Sequence, residues 1–202
     1  MKTKYIEYIK EYYEFSPQKK ADYLIAAIST ENKKMFDIAI EDLHNIIRTT
    51  PENIFVNIPD WRTNEYAITK AARIGNVYFV KELLNVGADV NVVADNLKNT
   101  TLIRAVQGQI LEIVDLLLNA GAKINTQNKL GKTALMIAAS MSLSLNDQNS
   151  PIIRRLLDAT PDVYLKDNFG VNFIVMAKTK PWLDEILNDE YGYLVTSAKF
   201  GL

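Results

Sequence analysis

Residues 100–125, which read TTLIRAVQGQILEIVDLLLNAGAKIN, decide the fold of this 202-residue chain. They contain a short apolar segment (TLIRAV, 101–106), a second one (IVDLLL, 113–118) and a turn led by glycine (GAKIN, 121–125). The second segment has an apolar stripe broader than one pair of helices can bury by itself. A unit of this kind is stabilised when copies of it stack, so the sequence predicts a repeat protein.

Further copies of the unit lie on both sides of this stretch. Their anchor positions are Leu24, Ile68, Leu102, Leu135 and Ile174, at intervals of 44, 34, 33 and 39 residues. The last interval is lengthened by a polar insert at 142–150, whose role the sequence leaves open. Five copies in a common phase predict five stacked units.

The units resemble ankyrin repeats, whose usual wording is D-x-x-G-x-T-P-L-H-x-A-A, then I-V-x-L-L-L, then G-A-D-V-N. The opening is matched best by NKLGKTALMIAA at 128–139, the middle by residues 113–118 and the turn by residues 87–91. The family's Pro and His after the Thr are absent from every copy. The resemblance covers residues 20–188 and implies an all-α ankyrin-repeat solenoid of about five helix-turn-helix units, with helical N- and C-terminal caps.

We divide the chain into an N-terminal capping helix (1–20), an ankyrin repeat domain (21–188) and a C-terminal tail (189–202). The expected units are 21–59, 60–94, 95–127, 128–166 and 167–188. Ser16 and Pro17 are typical of an N-cap followed by the first helical position, so a helix should begin there. The role of the tail stays open.

The composition excludes several classes of chemistry. There is no cysteine, so disulfides, cysteine metal sites and thiol nucleophiles are excluded. His44 is the only histidine, so the common zinc sites and the usual catalytic triads have few residues from which they could be built. The net charge of −1 gives no long-range attraction for nucleic acid or anionic lipid. No stretch approaches the roughly 18 apolar residues of a membrane span. We therefore expect no cofactor, no metal, no nucleic acid and no membrane partner.

The resemblance implies binding through two surfaces: the tips of the loops between units and the concave face of the first helices. The candidate contacts are Trp61, Arg62, Leu97 and Phe169 at the tips, and Lys70, Arg73, Arg104 and Gln107 on the first helices. The tip residues are candidates because aromatic side chains and arginine dominate binding energy at interfaces. The tip side chains could instead fold back onto the next unit.

The three first-helix cations predict a basic patch that would suit an acidic or polar protein partner. Lys70 and Arg73 lie in one unit and Arg104 in the next. The alternative is a scatter of solvated charges without a binding role.

The function predicted from the sequence is non-catalytic protein–protein interaction by a monomeric, cytoplasmic chain, with the partner unspecified. One alternative is a bacterial effector that is secreted into a host cell and targets a host protein. A second alternative is an enzyme with a carboxylate-based site. The adjacent pairs Glu41-Asp42, Asp184-Glu185 and Asp189-Glu190 give it little support, because neighbouring residues on a helix point in different directions.

Overall fold

The computed structural model describes residues 12, 14–49, 55–142 and 149–197. The helices in these ranges are α1 (Pro17–Ser29), α2 (Lys33–Thr49), α3 (Ala67–Ile74), α4 (Val77–Asn85), α5 (Thr101–Gly108), α6 (Leu111–Asn119), α7 (Ala134–Met141), α8 (Asn149–Asp158), α9 (Phe173–Lys178), α10 (Pro181–Asp189) and α11 (Gly192–Ser197), with a 3₁₀ helix at Phe55–Asn57. Two short strands, β1 (Val93–Ala94) and β2 (Asn99–Thr100), pair antiparallel with Val93 opposite Thr100.

The helices form five consecutive pairs, from α1/α2 to α9/α10, and the pairs stack. Each first helix (α1, α3, α5, α7, α9) contacts the first helix of the next pair, and the second helices α2, α4, α6 and α8 contact one another in the same order. We call these sets the first-helix row and the second-helix row. The predicted all-α repeat solenoid is confirmed.

The core lies between the stacked pairs. The anchors Ile68, Leu102 and Leu135 are buried, while Ile174 in the last pair is only partly buried. The neighbouring alanines are fully buried and allow first helices to approach closely; they are Ala71, Ala72, Ala105, Ala138 and Ala139. Full burial of each large aliphatic side chain stabilises the stack by about 1.5–3 kcal/mol, so the apolar stripes specify the stacking.

The repeated threonine begins the first helix of a unit. The hydroxyl of Thr100 accepts a hydrogen bond from the Ile103 amide at 3.2 Å, and Thr133 accepts one from the Met136 amide at 3.3 Å. These side chains satisfy amides that lack a partner in the first turn of a helix. The motif threonine is therefore the N-cap of its unit.

Repeated glycines follow the second helices. Gly87 after α4 and Gly121 after α6 have φ angles of +83° and +85°. This left-handed conformation carries no steric penalty for glycine and redirects the chain into the loop between units.

The two ends and the insert differ in how much the structure describes. Most of the capping helix predicted at 1–20 lies outside the described residues, although Ser16 caps α1 as predicted, accepting from the Lys19 amide at 3.3 Å. The insert at 142–150 lies largely outside them as well. In the tail, α11 packs on α10, and the side chain of Tyr191 is buried.

Candidate functional site

The loops between units form turns that are organised by an acidic or amide side chain. The turn residues are Asp60, Asp95, Asn128 and Asp167, one in each described loop tip. Asp60 Oδ1, for example, accepts the Arg62 and Thr63 amides at 2.9 Å each. An Asp or Asn in this role holds the backbone of a turn in one conformation, so the tips are ordered before any partner arrives.

The four tips are joined edge to edge by backbone hydrogen bonds. The Asp95 amide donates to the Asn64 carbonyl at 3.2 Å, the Lys129 amide to Leu97 at 2.8 Å and the Asn168 amide to Leu130 at 3.0 Å. We call the resulting surface the tip ribbon: residues 60–65, 94–100, 128–132 and 166–171. The bonds make it one continuous surface.

Close approach of two tips requires a glycine. Gly131 has a φ angle of +73°, and a Cβ atom there would come within 2.8 Å of the Asn168 backbone nitrogen. Any other residue would separate the last two tips of the ribbon.

Each tip presents one large apolar side chain to solvent. The exposed fractions are 71% for Trp61, 47% for Leu97, 40% for Leu130 and 79% for Phe169. These side chains do not fold back onto the next unit. The predicted tip residues Trp61, Leu97 and Phe169 thus lie together on the ribbon, and Arg62 lies beside Trp61, with its guanidinium carbon 5.4 Å from the ring centroid.

The predicted first-helix residues also lie on neighbouring helices, where two carboxylates offset most of their positive charge. Lys70 Nζ lies 3.1 Å from a Glu65 carboxylate oxygen, and Arg73 Nε lies 3.2 Å from the other one. Arg104 forms an ion pair with Asp95 and donates to Gln107 Oε1 at 3.0 Å. The predicted basic patch is therefore a network of ion pairs in which three cations face two carboxylates, and its positive charge is smaller than the sequence alone indicates.

Sequence reasoning missed Glu65 and Asp95, the carboxylates that partly neutralise the first-helix cations. Glu65 is buried and precedes Lys70 by five residues, whereas Asp95 is partly buried and precedes Arg104 by nine. Both belong to the tip ribbon. The sequence pattern that could have revealed both carboxylates is an acidic residue in each tip that precedes a first helix with basic residues.

The first-helix row changes character toward its C-terminal end. In α7 and α9 the positions that correspond to Lys70 and Arg104 hold the partly buried Ile137 and Met176. Val175, next to Met176, is 49% exposed. At these positions the row is therefore charged and hydrogen-bonded in α3 and α5, and apolar in α7 and α9.

A ladder of asparagines links the turns that follow the second helices of successive units. Asn91 Nδ2 donates to the Gly121 carbonyl at 3.2 Å, and its Oδ1 accepts the Lys123 amide at 2.9 Å. Asn57 makes the equivalent bonds to the next loop, at 3.2 Å to the Gly87 carbonyl and 2.8 Å from the Asp89 amide.

The asparagine ladder ends at Tyr164. Asn125 accepts the Asp162 amide at 2.9 Å, and the corresponding position in the next unit holds Tyr164 instead of asparagine. The Tyr164 hydroxyl donates to the Val195 carbonyl of α11 at 2.6 Å. The substitution therefore joins the repeat array to the C-terminal helix.

The electrostatics of the ribbon keep Asp60 ionised. Burial by itself raises the pKa of this carboxyl, but hydrogen bonds from the Thr63 and Arg62 amides and the Thr63 hydroxyl outweigh burial, and the pKa lies below its ordinary value. The carboxylate form is the one that accepts these bonds. Asp60 is thus a structural anion and not a proton donor at neutral pH.

The described residues form neither a metal-binding cluster nor a membrane-spanning helix. The described ranges contain no group of three or more His, Asp or Glu side chains placed to hold a metal ion. His44 is exposed and lines a groove of about 480 Å³ between α2 and α4, with Asp37, Glu41 and Tyr78. Among the helices of the described part of the chain, none is both long enough and apolar enough to span a membrane.

Comparison with known proteins identifies similar sequences. The family model described as ankyrin repeats (3 copies) matches residues 24–128 and 68–167. The chain is 34% identical over 106 residues to the ankyrin repeat and KH domain-containing protein mask-1 of Caenorhabditis elegans, covering 52% of this chain and 4% of that protein.

Two further relatives give similar identities. The mouse 2-5A-dependent ribonuclease is 39% identical over 75 residues, covering 37% of this chain and 10% of the enzyme. An ankyrin repeat protein of Acanthamoeba polyphaga mimivirus is 35% identical over 103 residues, covering 49% of this chain and 60% of the viral protein. The chain therefore spans less than two thirds of the length of each of these relatives.

Proposed function

Because this chain belongs to the ankyrin repeat family, we propose that it is a non-catalytic module that binds another protein through its tip ribbon and its first-helix row. Repeats of this family are generally protein-interaction modules. The proposed contacts are Trp61, Arg62, Leu97 and Phe169 on the ribbon, and Lys70, Arg73, Arg104 and Gln107 on the first helices.

The observation that carries the proposal is the exposure of four large apolar side chains on one hydrogen-bonded ribbon. An exposed row of this kind is typical of interaction sites. Because the turns are already ordered by Asp60, Asp95, Asn128 and Asp167, a partner would meet them at a low entropic cost.

In the proposed interaction, the polar side chains of the first-helix row determine which partners can bind. Glu65 holds Lys70 and Arg73 in place, and Asp95 holds Arg104. Side chains held in this way present donors in fixed directions, and a partner must match them.

The carboxylate-enzyme alternative has a candidate groove in the described residues, lined by Glu185, Asp189 and Glu190 beside Arg154, and Glu190 is held there in an ion pair with Arg154. Asp42, Glu65 and Asp95 each face a lysine or arginine, and Asp60 and Asp167 accept hydrogen bonds within their own turns. An acid–base pair needs one carboxyl with a raised pKa, whereas the pKa of Asp60 is lowered. Within the part of the chain that the structure describes, no structural feature favours the bacterial effector alternative.

The proposal is tested by affinity capture with quantitative mass spectrometry on three forms of the chain: wild type, Trp61→Ala/Phe169→Ala and Leu111→Ala. Leu111 is an exposed apolar residue of the second-helix row and serves as the matched control. We expect proteins that wild type and Leu111→Ala retain equally and that the ribbon variant loses by at least about tenfold. Equal retention by all three forms would show that the ribbon is not the binding surface.

A further inference from the structure

We propose that the tip ribbon binds an acidic amphipathic segment of a protein, in which carboxylates alternate with apolar side chains. This inference rests on the proposed function and adds the chemistry of the partner. It comes from the charges that accompany the exposed apolar row.

Each exposed apolar side chain of the ribbon has a cation close by in the sequence. Arg62 follows Trp61, Lys98 follows Leu97, Lys129 precedes Leu130, and Lys166 lies three residues before Phe169. All four cations are exposed. Within the described residues none of them forms an ion pair, in contrast to Lys70, Arg73 and Arg104.

The carboxylates of the ribbon are engaged within the protein. Asp60 and Asp167 are buried and accept amide hydrogen bonds of their own turns. Glu65 and Asp95 are held by first-helix cations. The outer edge of the ribbon is therefore both apolar and positive, although the whole chain carries a net charge of −1. Its electrostatic complement is a negatively charged surface with apolar side chains.

The spacing of the tips sets the pattern of the partner. The paired segments of the second tip, β1 and β2, are of the kind that lie about 4.8 Å apart, and two segments in each tip give a repeat of roughly 10 Å along the ribbon. A partner in the polyproline II conformation has three residues per turn and advances about 3.1 Å per residue, so every third side chain would meet successive tips. A helical partner rises about 1.5 Å per residue and would use every seventh. In both cases acidic residues between the apolar ones face the cations.

The ribbon suits a protein better than a single-stranded nucleic acid. Nucleic acid binding uses aromatic rings on which bases stack, together with a strongly basic groove. Two of the four exposed apolar residues, Leu97 and Leu130, have no ring.

The test begins with a display library of random 20-residue peptides selected on the wild-type chain at 50 mM salt. We expect the selected pool to be enriched in Asp and Glu together with Leu, Phe and Trp. A selected peptide is then labelled, and its affinity is measured by fluorescence anisotropy for wild type and two variants with the same net charge. The ribbon triple is Lys98→Gln/Lys129→Gln/Lys166→Gln, and the control triple is Lys34→Gln/Lys123→Gln/Lys178→Gln, whose lysines are also exposed.

The expected result is an affinity about tenfold weaker for the ribbon triple, and within about twofold of wild type for the control triple, because exposed ion pairs each contribute a small amount. Higher salt should reduce the wild-type affinity and narrow the gap between the triples. Circular dichroism checks that both triples are folded.

Several outcomes overturn the inference. The inference fails if the library yields no binders, if the selected peptides are neutral or basic, or if both triples weaken binding equally. It also fails if a 20-nucleotide single-stranded RNA displaces the peptide from wild type and the ribbon triple no longer binds that RNA. If neutral peptides are selected and Trp61→Ala/Phe169→Ala abolishes their binding, the acidic preference fails while the proposed function stands. If that variant binds like wild type, both fail.

Discussion

Gly108 of α5 lies directly against Ala72 of α3, and a Cβ atom at position 108 would come within 2.8 Å of the Ala72 carbonyl oxygen. The Arg73 carbonyl oxygen would be 3.2 Å away. Both neighbours are helical backbone, which cannot move aside without shifting a whole helix. The first-helix row is therefore packed as closely here as glycine permits.

This contact predicts that Gly108→Ala destabilises the chain. Alanine is better than glycine in a helix by about 1 kcal/mol, but overpacking costs about 1–3 kcal/mol, and we expect a net loss of up to about 2 kcal/mol in the free energy of unfolding on chemical denaturation. Gly192→Ala in α11 is the control, because a Cβ there meets no atom within 4 Å. A Gly108→Ala protein as stable as Gly192→Ala would contradict the close packing.

The asparagine ladder predicts a graded loss of stability. Asn91→Ala removes two hydrogen bonds to the next loop, whereas Asn125→Ala removes one. At about 0.5–1.5 kcal/mol for each bond, the free energy of unfolding should fall by about 1–2 kcal/mol for Asn91→Ala and by about half as much for Asn125→Ala. Equal losses in urea denaturation would mean that the side-chain bonds do not set the stability of these loops.

The lowered pKa of Asp60 predicts an acid-dependent contribution to stability. A group whose pKa is lower in the folded chain stabilises it above the unfolded value of about 3.9, and the contribution is lost as the pH falls through the folded value. Asp60→Asn lacks this ionisation and keeps an oxygen that can accept the amides, as Asn128 does in its own tip. The stability of wild type relative to Asp60→Asn should therefore decrease when denaturation is compared at pH 7, pH 4 and pH 2.5. A constant difference across this range would contradict the prediction.

The hydroxyl of Tyr164 predicts how firmly α11 is held. Tyr164→Phe removes the 2.6 Å bond to the Val195 carbonyl and leaves the ring in place. We expect a loss of about 1 kcal/mol and faster amide hydrogen exchange confined to residues 192–197. Tyr66→Phe is the matched control, because the structure gives the Tyr66 hydroxyl no hydrogen bond. Unchanged exchange in Tyr164→Phe would show that α11 is held by its apolar contacts.

The fold could be predicted because its determinants are local and periodic. The anchors Ile68, Leu102 and Leu135 recur near 33 residues, and all three are buried. The N-cap Thr133 and the left-handed Gly121 follow from residue type at a fixed place in the unit. The ribbon position of Trp61 and Phe169 follows from the same register.

The charge state of the first-helix row could not be predicted in the same way. Glu65 reaches Lys70 and Arg73 only because the tip turns back over the helix, and Asp95 reaches Arg104 for the same reason. The net charge of the sequence includes these cations, but it does not show which carboxylates lie beside them in the fold. The sequence analysis missed Asn57 because the anchors Leu24 and Ile68 are 44 residues apart, which obscures the register of the first unit. Asn57 nevertheless lies 34 residues before Asn91, as its place in the ladder requires.

The replacement of asparagine by Tyr164 has a consequence for how the molecule could be enlarged. Asn57, Asn91 and Asn125 follow one another at 34-residue steps, so duplication of residues 91–124 would insert a unit whose two boundaries already match their neighbours. A unit added after Tyr164 would meet a side chain that is already bonded to α11. The array is modular in its interior and closed at its C-terminal end, and its length can be engineered from within.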